Sequence, residues 1–340
     1  MTLLDEDGNK LRDAVIYKNL KYLVLSLCNY HRQGSKPNIY LFSTPRSGST
    51  WLMELIASQP GFKFYDEPLN IRRDNVQKAD CIKSWEDTMP GTAKEDLICR
   101  YLSKLETNKI RVMNPPPFRR NHRLLTNRVI LKIHEIEHMI NLIKAHSRAK
   151  IIYLLRHPIA TTVSRHVFPR LEYYVNSNHF SSQYLTSEQL ELGRDIFHSG
   201  SDFEKGILSW CYQNLIPLKF LDQRDWIIIT YEELLLNSYK ACEMLFEKLD
   251  LEDLNIMKKR IGIPATNINI STRETIEIMK DSSGKNRKRK IVTKWKNKLT
   301  ESQEQQAFDI LSVFSIDAYL LGRFVANEKY LNFNDTATLI

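Results

Sequence analysis

No stretch of the 340 residues offers the roughly 18 uninterrupted apolar positions that a membrane-spanning helix needs. The N-terminus, Met1-Thr2-Leu3-Leu4-Asp5-Glu6-Asp7, lacks the basic start and apolar core of a secretory leader. The run Tyr22-Leu23-Val24-Leu25-Ser26-Leu27-Cys28 is apolar but too short and too far in to serve as one. Cysteine is sparse: Cys28, Cys81, Cys99, Cys211 and Cys242 are scattered, odd in number and without a Cys-x-x-Cys pair. That argues against a disulfide framework and a zinc cage. These absences imply a protein that stays in the cytosol with no membrane partner, so the Asn-x-Ser/Thr sequons at Asn269 and Asn334 are chance. Repeat arrays and long disordered tracts are missing too.

What is present is ordinary globular material, 42% hydrophobic and 26% charged. No disordered linker divides it, so one domain is expected over 37–322, after a helical extension (1–36) and before a tail (323–340). The net charge of +9 favours anionic partners, and much of it is local. Lys285-Asn286-Arg287-Lys288-Arg289-Lys290 carries five positive charges in six residues. That run reads as a solvated loop or as a patch for nucleic acid or anionic lipid.

Four short apolar runs read as buried strands: Ile39–Ser43, Val129–Ile133, Ile151–Leu155 and Trp226–Thr230. Helical spacing follows each: Thr50–Ile56, about 135–146, from Pro158 onward, and a long run through Leu249. Apolar strands alternating with helices imply an α/β fold of three layers, a mostly parallel sheet covered on both faces. Thr300-Glu301-Ser302-Gln303 is a capping box opening a helix to about Leu321. Two stretches, about 70–125 and 168–205, show less pattern.

The loop Ser43-Thr44-Pro45-Arg46-Ser47-Gly48-Ser49-Thr50-Trp51 joins the first strand to its helix. A helix start after a strand is an anion site, because free backbone N–H groups point outward. Arg46 adds a forked donor suited to phosphate or sulfate oxygens. The loop lacks the second glycine and the Gly-Lys-Ser/Thr ending of a Walker loop, which weakens a nucleotide phosphotransferase reading.

Thr44 to Leu52 resembles the 5′-phosphosulfate loop of the sulfotransferase family. Arg156-His157-Pro158-Ile159-Ala160-Thr161-Thr162-Val163-Ser164 is similar to the family's 3′-phosphate site, with Arg and Ser eight residues apart. The resemblance spans roughly 38–320. It implies 3′-phosphoadenosine 5′-phosphosulfate as donor, held by Arg46, Ser47, Gly48, Ser49, Thr50, Arg156 and Ser164, with Trp51 and Tyr231 at the adenine. Lys288 and Arg289 match the first two members of the family's late Arg-Lys-Gly triplet in charge, but Lys290 replaces glycine. The implied acceptor is a hydroxyl or amine of a small molecule or saccharide, with no nucleic acid and no metal.

Sulfuryl transfer asks for in-line positioning and stabilisation of charge on the leaving oxygen, which falls to Arg46. The acceptor also needs a base. Glu67, in Tyr65-Asp66-Glu67-Pro68-Leu69, lies 21 residues after Arg46 and matches the base glutamate of the tyrosylprotein branch. His134, in Lys132-Ile133-His134, matches the base histidine of the small-molecule branch. Glu67 is favoured because its context agrees with the arginine-type loop. His134-Glu135-Ile136-Glu137-His138 satisfies H-E-x-x-H, but a histidine ending a strand cannot share a helical face with its partner.

Overall fold

The computed structural model describes residues 29–73, 82–110, 122–219, 226–266 and 285–333. The greater part of the expected N-terminal extension, 1–28, lies outside the described residues. In chain order the elements are β1 (Tyr30–His31), β2 (Ile39–Ser43), α1 (Ser49–Ile56), β3 (Phe62–Asp66), α2 (Glu95–Glu106), β4 (Leu125–Thr126) and β5 (Arg128–Ile133). There follow α3 (Ile140–His146), β6 (Lys150–Leu155), α4 (Pro158–Thr162), α5 (Leu171–Asn176), α6 (Asn178–Tyr184), α7 (Ser187–Ser199) and α8 (Asp202–Lys219). The series ends with β7 (Ile227–Thr230), α9 (Tyr231–Leu236), α10 (Ser238–Lys248), α11 (Leu254–Ile261), α12 (Lys285–Val292) and α13 (Glu301–Val313).

Five strands form one parallel sheet in the order β3-β5-β2-β6-β7, and β1 pairs with β4 in a separate two-stranded ribbon. Every residue of β2, β5 and β7 is buried, as strands covered on both faces must be. The connection from β2 runs to one side of the sheet and that from β6 to the other. A crevice therefore opens beyond the C-terminal ends of these two neighbours, the usual ligand position in such sheets. The loops that leave them are the Arg46 loop and the Arg156 segment.

Two sequence expectations change. Residues 168–205, expected to be weakly patterned, carry α5, α6 and α7 and the start of α8. The basic run expected as a loop begins α12, with Lys288 buried against α10 and donating to Ser238 Oγ at 3.0 Å. The described part of the tail, 323–333, is packed down: Phe324, Val325 and Tyr330 are buried, and Asn332 and Phe333 donate backbone N–H groups to Glu233.

Buried histidines make this fold acid-sensitive. His157 stacks on Trp295 at 4.3 Å between ring centroids, and burial lowers its pKa to about 3. Burial likewise lowers His138 to about 3 and the half-buried His31 to about 4. An unfolded chain protonates all three near 6.5, so over the window between these values it binds more protons and stability falls with pH. Glu135 works the other way: burial raises it to about 7 from 4.5, so the folded state holds the extra proton between those values. Burial also raises Glu106, Glu232 and Glu233 above 4.5, and these oppose the histidines too. His157→Phe is expected to lessen the loss of unfolding free energy between pH 6 and pH 5 by about 1 kcal/mol, read from urea titrations at the two values.

Candidate active site

The turn after β2 is shaped for an anion. Arg46 and Gly48 both have positive φ, 71° and 85°, and Thr44 Oγ1 and Ser47 Oγ hydrogen-bond at 2.7 Å across the turn. Gly48 starts α1 without any side-chain cap, leaving first-turn N–H groups for a ligand. A Cβ at Gly48 would stand 2.5 Å and 2.8 Å from two Tyr231 ring carbons, so glycine is required by conformation and by space. The Arg46 guanidinium is exposed.

Arg156 closes the other side. Its Nη1 donates to the Arg46 carbonyl at 2.6 Å, and its guanidinium lies over the Tyr231 ring at 4.4 Å. Its Nε is buried without a hydrogen-bond partner. Trp51 meets the Tyr231 ring edge-on at 6.1 Å and donates Nε1–H to Ile263 O at 3.1 Å. Ser47, Gly48, Ser49, Thr50, Trp51, Arg156 and Tyr231 thus gather around one place.

The short helix α4 ends at Thr162, and Ser164 Oγ turns back to donate to Thr161 O at 2.9 Å. Lys288 is committed to Ser238, and Arg289 lies over the Phe324 ring at 4.9 Å.

Glu67 and His134, offered by the sequence as alternatives, stand side by side. His134 Nε2 is 3.3 Å from Glu67 Oε1. Its Nδ1 donates to the Ser43 carbonyl at 2.6 Å, and Ser49 Oγ lies 3.3 Å from Nε2. Since a carbonyl only accepts, Nδ1 carries a proton and Nε2 is the nitrogen that can exchange one. Glu67 also has positive φ, 55°, a strain tolerated where a site dictates it. Its carboxylate meets Lys132 Nζ at 3.0 Å, Arg73 Nε at 3.0 Å and Asn70 Nδ2 at 2.8 Å. Burial alone would raise the Glu67 pKa, but His134, Lys132 and Arg73 together hold it well below the carboxylate range.

Other residues of the site carried no sequence assignment. Lys132, fully buried, donates to Thr50 Oγ1 at 2.9 Å and pairs with Asp66, linking the phosphate loop to Glu67. A lysine inside an otherwise apolar strand is the signal that could have found it. Arg170 forks onto Glu137 at 2.8 Å and 3.0 Å and donates to the carbonyls of His134 and Glu135, each at 2.6 Å. His138 sits in a separate 3-10 turn, Glu137–Met139, off the strand end that carries His134. Among the described residues, no group of three or more His, Cys, Asp and Glu side chains is placed to hold a metal ion.

Two cavities meet at these groups. One, about 370 Å³, is lined by the Arg46 loop, Arg156, Tyr231, Pro264, Ala265 and Ile291. The second, about 420 Å³, is lined by Arg72, Trp85, Glu135, Ser164, Arg165 and His166, among others. Pro45, Arg46, Glu67 and His134 line both. A larger hollow of about 510 Å³, between Tyr40, Cys99, Arg100 and His146, shares no lining residue with either.

A family model described as "Sulfotransferase domain" matches residues 36–313. No curated protein matches the sequence. Among solved structures, the chain is similar to a sulfotransferase domain from the curacin biosynthetic pathway, at 18% identity and TM-score 0.38, covering 83% of this chain and 99% of that one. It is similar to mouse sulfotransferase SULT7A1 complexed with PAP, at 17% identity and TM-score 0.39, covering 94% and 92%. Sulfotransferase STF9 from Mycobacterium avium follows at 13% identity and TM-score 0.38, covering 92% and 82%. With the family model covering most of its length, the Arg46 loop and the strand-end histidine included, the chain belongs to the sulfotransferase family.

Proposed function

We propose that this sulfotransferase takes its sulfuryl group from 3′-phosphoadenosine 5′-phosphosulfate bound in the Arg46–Arg156 cavity. The acceptor is a hydroxyl or amine of a small molecule or saccharide entering by the second cavity. One observation carries this reading: Arg46, Glu67 and His134 form the shared wall between the two cavities. A group passed across that wall meets a cation and a proton acceptor at the crossing point.

The chain's residues fit such a donor. The uncapped start of α1 and the glycine at 48 leave N–H groups for the 5′ end, and the exposed Arg46 lines the same cavity. Arg156 offers a buried, unpartnered Nε–H to a second anionic group, and Trp51 and Tyr231 supply ring surface for a base. Arg156 takes the 3′-phosphate, and Ser164 lines the second cavity. The donor supplies the sulfuryl group when bound. Arg46 stabilises charge on the leaving and sulfuryl oxygens, and His134 Nε2 takes the acceptor proton beside the Glu67 carboxylate. Lys132 and Arg73 keep that carboxylate ionised.

Thermal denaturation tests the donor assignment. Adenosine 3′,5′-bisphosphate at about 100 times its Kd should add ~2.7 kcal/mol, or about 5 °C, without magnesium. Arg156→Ala should abolish the shift and leave the ligand-free Tm near that of the parent. Protection by ATP with magnesium, and none by the bisphosphate, would overturn the assignment in favour of a nucleotide phosphotransferase.

A further inference from the structure

The second cavity has an imbalance of charge. Of the arginines that line it, Arg170 is matched by Glu137, but Arg72 and Arg165 have no carboxylate partner among the described residues. Arg165 spends its Nε on the Val167 carbonyl at 2.9 Å and lies over the Phe168 ring at 5.2 Å, leaving the end of its guanidinium uncommitted. His166 adds an exposed imidazole on the same rim. On the acidic side, Glu67 is already neutralised by Lys132 and Arg73. Glu135 is the remaining carboxyl of the lining, and burial holds it largely protonated up to about pH 7.

The cations also act on one another. Burial lowers the pKa of Arg165 to about 9, and Arg170 and Arg72 push it the same way, with Glu137 opposing. Like charges crowded in a half-enclosed hollow cost free energy unless something anionic enters. A domain that needed only to solvate these arginines would not turn them toward a hollow that shares a wall with the proposed donor cavity.

We propose that the acceptor is itself an anion, a hydroxyl or amine compound whose carboxylate, phosphate or sulfate is held by Arg72 and Arg165 while its reacting group lies at Arg46 and His134. Trp85, on the same lining, offers a flat wall for a sugar or aromatic ring between the two ends. The anionic group sets specificity and takes no part in sulfuryl transfer. This rests on the second cavity being the acceptor's.

Matched pairs of compounds test the proposal by binding alone. Methyl glucuronide against methyl glucoside, glucose 6-phosphate against glucose, and 4-hydroxyphenylacetate against its amide differ in charge at nearly constant shape. Titration calorimetry is run with and without saturating adenosine 3′,5′-bisphosphate. The charged member of at least one pair should bind about 10-fold tighter, and the preference should shrink between about 0.05 M and 0.5 M salt. Which pair responds separates carboxylate from phosphate. Arg72→Gln with Arg165→Gln should bring the ratio to about 1 while bisphosphate affinity stays within about 2-fold. Should the double variant fail to fold, Arg72→Gln alone, at an exposed position, must still reduce the ratio. Equal binding within every pair, or a preference that survives the substitutions, overturns the proposal. Loss of bisphosphate binding in the parent protein would instead refute the donor assignment, and the charge preference would still be measurable without it.

Discussion

H134N is expected to lower the single-turnover rate by ~10²–10⁴, the contribution of a positioned general base. The ring occupies the wall between the two cavities, with Nδ1 fixed on the Ser43 carbonyl and Nε2 facing Glu67 and Ser49. Asparagine can reproduce a donor toward Ser43 but cannot accept a proton at neutral pH. Bisphosphate affinity should stay within a few-fold, because the phosphate contacts proposed for the donor come from the loop and Arg156. The companion variant, E67Q, should cost less in the chemical step. Its carboxylate is surrounded by Lys132, Arg73 and Asn70, and an anion so strongly held is a poor proton acceptor. What the glutamate supplies is charge beside the imidazole, and glutamine keeps the shape while removing that charge. A larger loss in E67Q than in H134N would return the base to Glu67, as its neighbours in sequence suggest.

That pairing shows where sequence reading stops. Glu67 and His134 are 67 positions apart, and each matches a different branch of the family, so they present themselves as rivals. Only strand order brings them together: β5 lies between β3 and β2, and the register Asp66↔Lys132 sets Glu67 beside the end of β5. The same neighbour relation delivers Lys132 to both Thr50 and Glu67. Local patterns carry no information about which strands are adjacent.

Elements whose identity is local were readable. Four of the five sheet strands are short runs rich in Ile, Leu and Val, and the structure places each within about one residue of its expected span. The fifth, Phe62-Lys63-Phe64-Tyr65-Asp66, has no Ile, Leu or Val and gave no such run. The helices of 168–205 escaped because aromatic and polar residues interrupt their apolar faces. The phosphate loop was legible because glycine at 48 answers a demand of the backbone itself. Spacing along the chain implied one site for Arg156 and Ser164; Arg156 lines the first cavity and Ser164 the second.

R170A is expected to destabilise the fold by ~3–5 kcal/mol, the cost of leaving a buried charge without its partner. Arg170 and Glu137 are 2% and 1% exposed, and the guanidinium is saturated by two carboxylate oxygens and two backbone carbonyls. Burial alone would lower the pKa of this arginine, but Glu137 raises it well above the ordinary value. Removing the side chain strands the Glu137 carboxylate in the interior and frees the carbonyls of His134 and Glu135. Those carbonyls fix the backbone just past β5, so the base should lose its aim as well as its support. Urea unfolding should show the stability loss, and kcat should fall further than KM rises if the ring of His134 is displaced. R170L combined with E137L separates the two effects. An apolar pair at these positions should recover most of the stability, because an unpaired charge no longer remains. The carbonyls would still lack their donors, so turnover should stay low. Recovery of both together would mean that Arg170 is needed for folding alone and has no part in holding His134.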